Sequence, residues 1–273
     1  HRGRKRRRDR LIRRMPILTL TTDFGTGDYY VGAMKGVALG IAPDAHLIDI
    51  SHQIPPQDVL AAAFVLRHAA REFPPGTVHL AVVDPGVGTA RRPIAVAAAD
   101  QLWIGPDNGL FSFVLNDARV HHIANKALYN SRPSRTFHGR DIFAPIAAHL
   151  CTGLDLGAVG PPVYDPVLLP EITAQKSAQR IAGRIIHIDH FGNLVTNIAA
   201  ADIEPWGTAV NIRLGSHALA GLSRTYGDVA EDAPLALIGS VELLEISVNG
   251  GSAAQRFGLD RRDPIIVEPT TER

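Results

Sequence analysis

The chain has 273 residues, of which 45% are hydrophobic and 20% charged, and its formal net charge at pH 7 is +1. This composition excludes an intrinsically disordered protein, suits two domains or one large one, and contains no run of the roughly 18 apolar residues that a membrane helix needs. The single cysteine, Cys151, excludes an internal disulfide and a thiolate cluster, and is compatible with a protein of the reducing cytoplasm.

The small net charge hides a basic N-terminal segment. Residues 1–14 contain nine Lys or Arg and one Asp, a net charge of +8, which leaves about −7 for the rest of the chain. A block of like charge with few apolar side chains cannot bury enough surface to fold, so we expect a disordered arm. Such an arm could bind nucleic acid or an anionic membrane. The favoured alternative is that these residues precede the native protein at Met15, and no apolar segment typical of a secretory signal follows them.

Residues 15–170 alternate strand-like and helix-like patterns. Short runs of Val, Ile, Leu and Ala predict buried strands, and apolar residues at helical spacing predict helices between them. Predicted strands cover 17–22, 45–50, 78–83 and 94–98, and predicted helices cover 30–41, 58–72 and 138–150. This alternation predicts an α/β N-terminal domain with a largely parallel sheet.

The second half of the chain has a different pattern. A Pro-rich connector at 160–170 leads into a charged stretch, and we place a linker at 171–180. Short strand candidates separated by Gly, Asn and Asp turns then fill 181–273, with little helical pattern between them. Predicted strands cover 183–189, 209–214, 233–238, 243–248 and 264–268. This pattern predicts a smaller antiparallel β domain, a barrel or a sandwich.

The first polar segment that could carry chemistry is TTDFGTGD at 21–28, which begins at the end of the first predicted strand. Ligands of open α/β sheets bind beyond the carboxyl ends of the strands. The two carboxylates, Asp23 and Asp28, could therefore bind a diol or a cation. The segment could equally be a solvated turn whose aspartates cap backbone groups.

The second segment, VDPGVGTAR at 83–91, also follows a predicted strand. Asp84 ends that strand, and Arg91 is close enough in sequence to fold back onto it. The two residues could belong to an active site or form a structural ion pair that closes the turn. The segment matches neither the glycine pattern of dinucleotide-binding folds nor that of P-loops.

The third segment, TFHGRDIFAP at 136–145, places His138 beside a glycine at the start of a predicted helix. This position favours a side chain that faces a cavity. A single histidine among twelve is more often structural. Because the chain has no His-Glu-x-x-His or Cys-x-x-Cys spacing, we expect no zinc site.

The fourth segment, IDHFGNLVTN at 188–197, opens the second half of the chain. Its Asp, two Asn and Thr around Phe-Gly could form a β-turn that satisfies its own backbone. They could instead hydrogen-bond a zwitterion or a nucleobase. The position just beyond the linker suits a ligand bound between two domains.

The four segments together resemble the S-adenosylmethionine hydroxide adenosyltransferase family, a former domain of unknown function that is related to S-adenosylmethionine-dependent fluorinases and chlorinases. The resemblance rests on the order TTDFG…D, VDPGVGT…R, TFHGRD and D-x-FGN-x-x-TN, and extends from about residue 17 to residue 267. It implies an α/β N-terminal domain joined to a β-barrel C-terminal domain and assembled as a homotrimer. The substrate would lie between the N-terminal domain of one subunit and the C-terminal domain of its neighbour.

The resemblance also implies which residues bind S-adenosylmethionine. Asp23 would hold the ribose hydroxyls, while Asp28 and Asp189 would bind the methionine ammonium. Ser240 lies where the family binds the methionine carboxylate, although Val241 stands where halogenases have an Arg. The other implied substrate-binding residues are Phe24, Phe137, Asn193 and the backbone of Val248 and Asn249, of which the last three would contact adenine.

Two positions separate the branches of this family. The hydroxide-using branch carries an Asp-Arg-His set, matched here by Asp84, Arg91 and His138 as the implied catalytic residues. Halogenases have an aromatic residue at the Asp position and a Ser that contacts the halide, where this chain has Gly139. The implied protein is an adenosine-forming S-adenosyl-L-methionine hydrolase without metal or cofactor. The alternatives are a halogenase, a non-catalytic adenosyl-ligand-binding protein, and nucleic-acid binding through the basic arm.

In the implied reaction the leaving group is already good, and the difficult part is to provide a nucleophile. The sulfonium departs as a neutral thioether, whereas water has a pKa of about 15.7 and must be positioned and deprotonated. An Arg stabilises a neighbouring carboxylate and makes it a weaker base, while an imidazole titrates near neutral pH. We therefore hypothesise that Asp84 and Arg91 orient the water and that His138 shares or accepts its proton.

Overall fold

The computed structural model describes residues 15–170 and 173–270 of the chain. The predicted basic arm at 1–14 and two residues of the predicted linker, 171–172, lie outside the described residues. None of the helices in the described part of the chain has the length and apolar character needed to cross a membrane.

A six-stranded sheet forms the centre of the N-terminal half. Its strands are β1 (Ile17–Thr22), β2 (His46–Ser51), β3 (Val78–Val82), β4 (Pro93–Ala98), β5 (Gln101–Pro106) and β6 (Arg119–His122), and the helices are α1 (Tyr30–Ile41), α2 (Val59–Ala70) and α3 (Ala144–Cys151). The strand order is β2-β1-β3-β5-β4-β6. Parallel pairing joins β1 to β2, β1 to β3 and β3 to β5, while β4 is antiparallel to β5 and β6. The predicted α/β fold with a largely parallel sheet is confirmed.

The sequence pattern does not indicate β5 and β6. For β5 the reason is the turn before it. Ala99 and Asp100 form a two-residue hairpin turn in which both residues have positive φ, 51° and 58°. Such turns are usually marked by Asn-Gly or Asp-Gly, so Ala-Asp gives no hairpin signal. The last strand of the sheet consists of Arg-Val-His-His, which lacks the apolar run typical of a buried strand.

Helices cover both faces of this sheet. α1 and α3 pack on one face, where the fully buried residues include Leu20, Met34 and Phe143. α2 packs on the other face, in a separate cluster that contains Leu66 and Trp103. Because both faces are covered, β1 and β3 are buried along almost their whole length, and their sequences are rich in apolar and β-branched residues without alternation of apolar and charged side chains.

The C-terminal half is an antiparallel, nearly closed barrel-like sheet, which confirms the predicted β fold. Its strands are β7 (Gln175–Ser177), β8 (Arg180–Ile188), β9 (Leu194–Ala199), β10 (Val210–Leu214), β11 (His217–Ala220), β12 (Pro234–Ile238), β13 (Leu243–Val248) and β14 (Pro264–Pro269), with short helices α4 (Ala200–Ile203) and α5 (Ala253–Phe257). The strand order is β11-β10-β14-β8-β9-β13-β12, with β7 paired to β8. Apolar residues of β8, β9, β13 and β14 form its own buried cluster. The strand β7 lies inside the segment predicted as a linker.

Side-chain contacts of α2 and its N-cap join the described parts of the two halves. The ring of Phe64 on α2 stacks on His187 of β8, with centroids 4.5 Å apart. Arg261, just before β14, forms an ion pair with Asp58, which caps the N-terminus of α2. The helix α2 therefore packs against the barrel.

The helix predicted at 138–150 begins with an irregular turn. Gly139–Phe143 forms a π-helical turn, and α3 starts only at Ala144. Turns of this kind are rare and often occur at functional sites, since the extra residue per turn redirects the side chains around it. His138 is the residue immediately before this turn.

Candidate active site

Two of the predicted polar segments meet at one edge of the parallel sheet. The segment with Asp23 follows β1, and the segment with Asp84 follows β3. Since β1 and β3 are parallel neighbours, their carboxyl ends lie side by side. This edge is where open α/β sheets bind ligands.

Asp84 and Arg91 form a buried, two-pronged ion pair at this edge. Arg91 Nε donates to Asp84 Oδ1 at 2.8 Å, and Arg91 Nη2 donates to Oδ2 of the same carboxylate. The side chains are only 5% and 10% exposed, respectively. The chain reverses between them through a turn at Gly88, where φ is +78° and a Cβ atom would come within 2.9 Å of the Arg135 carbonyl oxygen. Only glycine fits this turn, so the local sequence folds Arg91 back onto Asp84.

His138 extends this pair into a cluster of three. The distance from Arg91 Nη2 to His138 Nδ1 is 3.1 Å. Because an arginine can only donate, Nδ1 must accept, and in the neutral imidazole the proton then lies on Nε2. Burial, followed by the charge of Arg91, lowers the pKa of His138 below its usual value. The histidine is therefore neutral at pH 7, with an N–H donor at Nε2.

The π-helical turn that carries His138 is anchored by a buried carboxylate. Asp141 accepts hydrogen bonds from Asn130 Nδ2 at 2.9 Å, from the backbone N–H of Ser134 at 2.8 Å and from Arg140 Nε at 2.7 Å. Its side chain is 1% exposed, and Arg140 also lies over the ring of Phe137, 4.9 Å from the centroid. Asp141 thus ties the loop at 130–134 to the turn beside the cluster.

An aromatic group from the first and third segments lies next to this turn. The rings of Phe24 and Phe137 are 6.2 Å apart in an edge-to-face arrangement, and Tyr30 lies 5.1 Å from Phe137. A Cβ atom at Gly139 would come within 3.1 Å of Met34 Sδ and 3.5 Å of Phe24. The glycine therefore lets Phe24 approach the turn that carries the histidine.

The two aspartates of the first segment have different surroundings. Asp23 is half-buried, and its Oδ2 accepts a hydrogen bond from the backbone N–H of Gln57 at 2.8 Å. Asp28 is exposed just before α1. Asp23 is therefore held in place, whereas Asp28 is accessible to a ligand.

The fourth segment forms a tight turn in the C-terminal half. Asp189 Oδ1 accepts from the backbone N–H groups of Phe191 and Asn193, both at 2.9 Å, and Oδ2 accepts from Asn193 Nδ2 at 2.9 Å. Asp189 and Asn193 line a cleft of about 750 Å³ together with Ser240 and Val248. The structure brings these four predicted residues together.

Asn249 is directed away from this cleft. Its Nδ2 donates to the Val229 carbonyl oxygen at 2.9 Å. Its backbone N–H donates to Ala233, and its carbonyl oxygen accepts from Asp232. Both backbone groups of Asn249 thus already have partners within the sheet and its connecting turn.

The same cleft contains residues that the sequence analysis does not single out. Glu245 and Tyr226 line it, and Tyr226 donates its hydroxyl hydrogen to Glu245 Oε1 at 2.8 Å. A charged residue in the middle of the apolar run LLEISV is the signal that could have identified Glu245. Tyr226 follows a Ser-Arg-Thr stretch and gives no comparable signal.

The two groups of candidate residues belong to different halves of the chain. Every residue that lines the cleft falls between 189 and 251, whereas the Asp84 cluster lies at the sheet edge of the N-terminal half. Among the described residues, no three His, Cys, Asp or Glu side chains are grouped so that they could hold a metal ion. The arrangement offers a positioned carboxylate, a guanidinium and a neutral imidazole on one side, and a polar cleft on the other.

Family models and known proteins match almost the whole chain. The SAM hydroxide adenosyltransferase N-terminal domain matches residues 18–160, and the C-terminal domain of the same name matches residues 183–266. The chain is 39% identical to an (R)-S-adenosyl-L-methionine hydrolase from Salinispora tropica, covering 92% of this chain and 97% of that protein. It is 40% identical to a protein of that name from Thermus thermophilus, covering 89% and 96% of the two chains.

More distant relatives and a solved structure complete the comparison. A fluorinase from Nocardia brasiliensis is 29% identical, with 90% of this chain and 94% of the fluorinase covered. The crystal structure of an uncharacterised conserved protein from Thermotoga maritima superimposes with a TM-score of 0.85 at 37% identity, covering 92% of this chain and 99% of that one.

Proposed function

Because the chain belongs to the SAM hydroxide adenosyltransferase family, we propose that it is an adenosine-forming S-adenosyl-L-methionine hydrolase. Water attacks the ribose C5′ carbon, the C5′–S bond breaks, and the products are adenosine, L-methionine and one proton. The observation that carries this proposal is the hydrogen-bonded cluster of Asp84, Arg91 and His138 at the carboxyl edge of the sheet. The hydrolase relatives, at 38–41% identity, support the same activity.

The role of the cluster is to position and deprotonate water. The sulfur leaves with the bonding electron pair as a neutral thioether, so no general acid is needed. Holding the water in line behind C5′ contributes up to about 7–11 kcal/mol to lowering the barrier. In the transition state the partial negative charge of the attacking water oxygen and the positive charge of the sulfonium cancel. This loss of charge is favoured in a site from which bulk water is excluded.

We propose that Asp84 receives the water proton and that His138 acts as a donor, in place of the hypothesis from the sequence that His138 shares or accepts this proton. The contact from Arg91 to His138 Nδ1 supports this assignment, because the remaining nitrogen then carries a proton and can only donate. Accepting a further proton would create an imidazolium beside the guanidinium. His138 therefore directs a water lone pair toward C5′, while the carboxylate of Asp84 receives the proton.

We propose substrate contacts on both sides of the site. In the N-terminal half, Asp23 holds the ribose hydroxyls, Asp28 contacts the methionine ammonium, and Phe24 and Phe137 pack against the nucleoside. The proposed contacts of the barrel half are Asp189 with the ammonium, Asn193 and Val248 with adenine, and Ser240 with the methionine carboxylate. Asn249 is left out because its side chain and both of its backbone groups have other partners. The shared cleft of Asp189, Asn193, Ser240 and Val248 supports the second set.

We also propose that the site is completed by a neighbouring subunit in a homotrimer. The cleft is lined only by residues between 189 and 251 and contains no residue of the Asp84 cluster. A substrate that contacts both groups is explained if the N-terminal half of one subunit faces the barrel of the next. Each trimer would then contain three equivalent sites.

A halogenase is the nearest alternative activity, and two residues argue against it. Asp84 occupies the position that is aromatic in halogenases, and its carboxylate would repel a halide. Gly139 occupies the position of the halide-contacting Ser, and a Cβ atom there would be only 3.1 Å from Met34 Sδ. The local packing thus disfavours the side chain that a halide site needs.

The experiment is to incubate the purified protein with S-adenosylmethionine in ¹⁸O-labelled water and to separate the products. We expect adenosine with ¹⁸O at the 5′ position and an equal amount of methionine, at a rate unchanged by EDTA. Parallel reactions contain chloride or fluoride. Formation of a 5′-halo-adenosine would show that the protein is a halogenase rather than a hydrolase. Tight binding of S-adenosylmethionine without any product would show that it is a binding protein.

A further inference from the structure

Glu245 is a buried carboxylate in the middle of β13. It is 7% exposed, and its cross-strand neighbours in the sheet are Leu237 and Val195. A carboxylate in such apolar surroundings is costly unless its charge is compensated. The position of Glu245 therefore needs an explanation beyond the stability of the strand.

The partners of Glu245 within the chain are neutral. Its Oε1 accepts from Tyr226 Oη at 2.8 Å and from Ser247 Oγ at 2.7 Å. Burial and the hydrogen bond to Glu245 raise the pKa of Tyr226 to about 12, so the phenol keeps its proton and remains a donor. None of the ion pairs among the described residues includes Glu245. Two hydroxyl groups thus orient the carboxylate without neutralising its charge.

The second oxygen, Oε2, faces a glycine at the wall of the cleft. A Cβ atom at Gly239 would come within 2.8 Å of Oε2, so any other residue there would displace the carboxylate. Within the described residues, the hydrogen bonds to Glu245 reach Oε1 and none reaches Oε2. The cleft that Glu245 lines also contains Asp189 and Ser240. One oxygen of the carboxylate is therefore available to a ligand in the cleft.

We propose that Glu245 binds the α-ammonium group of S-adenosylmethionine through Oε2. This inference rests on the proposed function. The substrate carries two positive centres, but the sulfonium has no N–H group and must lie beside the Asp84 cluster, where the C5′–S bond breaks. The ammonium has three N–H donors, and Asp28 and Asp189 provide acceptors for only two of them. Asp189 already accepts three hydrogen bonds from its own turn, so most of its acceptor capacity is used.

Calorimetric binding of three ligands to the Glu245→Gln variant tests this proposal. S-adenosylmethionine has both cations, S-adenosylhomocysteine has only the ammonium, and the deaminated analogue of S-adenosylhomocysteine has neither. Gln keeps the size of the side chain and an acceptor for Tyr226, while it removes the charge. We expect about 10- to 100-fold weaker binding of the first two ligands and a change of less than about twofold for the third.

Glu242→Gln is the matched control, since Glu242 lies on the turn before the same strand with an exposed side chain outside the cleft. It should leave all three affinities unchanged. Unaltered binding of S-adenosylhomocysteine to Glu245→Gln would overturn the proposal. Equal weakening of the deaminated ligand would do the same, because Glu245 would then act only by holding the cleft wall. Weakening confined to S-adenosylmethionine would assign Glu245 to the sulfonium instead.

The outcomes separate this inference from the proposed function. A wild-type protein that binds S-adenosylhomocysteine but does not cleave S-adenosylmethionine contradicts the hydrolase, while the comparison of ligands still decides the role of Glu245. Cleavage by the wild type, with identical affinities in the variant, removes only the role of Glu245. A wild-type protein that binds none of the three ligands contradicts both.

Discussion

The guanidinium of Arg91 lies 3.1 Å from Nδ1 of His138, although the two residues are 47 positions apart in the sequence. This contact determines which imidazole nitrogen carries the proton, since arginine cannot accept a hydrogen bond. It also places a permanent positive charge beside the histidine, which disfavours the imidazolium. The contact leaves no free acceptor on the imidazole, so under the proposed mechanism the water proton passes to the carboxylate of Asp84.

The first prediction concerns the proton acceptor. Asp84→Asn should lower kcat by about 100-fold or more, because the amide cannot accept the water proton. His138→Asn should have a smaller effect, about tenfold, since it removes a donor that orients the water. Adenosine release measured by chromatography checks both, with the exposed Asp44→Asn as a control of unchanged rate. A larger loss for the His138 variant than for the Asp84 variant would make the histidine the base.

The second prediction concerns the anchor of the π-helical turn. Asp141→Asn should lower the free energy of unfolding by about 1–3 kcal/mol, because the amide cannot accept all the hydrogen bonds that the buried carboxylate receives from Asn130, Ser134 and Arg140. Denaturant unfolding followed by circular dichroism measures the change. The control is Asp165→Asn: this carboxylate also pairs with an arginine, Arg92, but is 81% exposed, so no measurable change is expected. Similar losses in both variants would show that burial of the Asp141 network adds nothing.

The third prediction concerns stability in mild acid. His79 is completely buried against Thr19 and Trp103, and burial lowers its pKa to about 4. Its pKa in the unfolded chain is about 6.5, so between these values the unfolded state binds a proton that the folded state does not. The free energy of unfolding should therefore fall as the pH decreases from about 6.5 toward 4, by up to about 1.4 kcal/mol per pH unit.

Urea unfolding at pH 5 and pH 7 measures this slope. His79→Gln should be less stable at both values but should show a shallower dependence on pH. His46→Gln, with an exposed side chain, should keep the slope of the wild type. An unchanged slope in the His79 variant would mean that other groups cause the acid sensitivity.

The fourth prediction concerns assembly of the site from two chains. Asp84→Asn and Asp189→Asn affect opposite halves, and each should be nearly inactive alone. When the two variants are unfolded together and refolded, mixed trimers should contain some sites with an intact Asp84 cluster and an intact cleft. Activity should then reappear and exceed that of either variant refolded separately. Light scattering gives the assembly state, and absence of any recovery would argue for a site within one chain.

The sequence predicts most elements of the fold because the central strands are buried on both faces. Short runs rich in apolar and β-branched residues, such as those of β1 and β3, can be recognised without any tertiary information. β5 is missed because its preceding turn, Ala99-Asp100, reaches positive φ without glycine or asparagine. That conformation depends on the pairing of β4 with β5, which a local pattern does not contain.

The candidate site is predictable where its partners are close in sequence. Asp84 and Arg91 are separated by one turn, and their pairing follows from the glycine between them. The approach of His138 to Arg91 depends on the packing of α3 and the π-helical turn. The prediction that His138 belongs to the site therefore rests on the family resemblance and not on its spacing from Asp84 and Arg91. Glu245 is missed because alternation along a strand assigns a charged residue to solvent, whereas Tyr226 on a distant loop covers it.

The barrel cleft contains no residue from before position 189, and this has a consequence for how activity depends on protein concentration. Under the proposed assembly, a fully folded single subunit holds two incomplete half-sites, each of which needs a residue set from another subunit. Dilution below the dissociation constant of the subunits would then abolish turnover, although the secondary structure of each subunit would be unchanged. Turnover per subunit would rise steeply with concentration and level off once the subunits are fully associated.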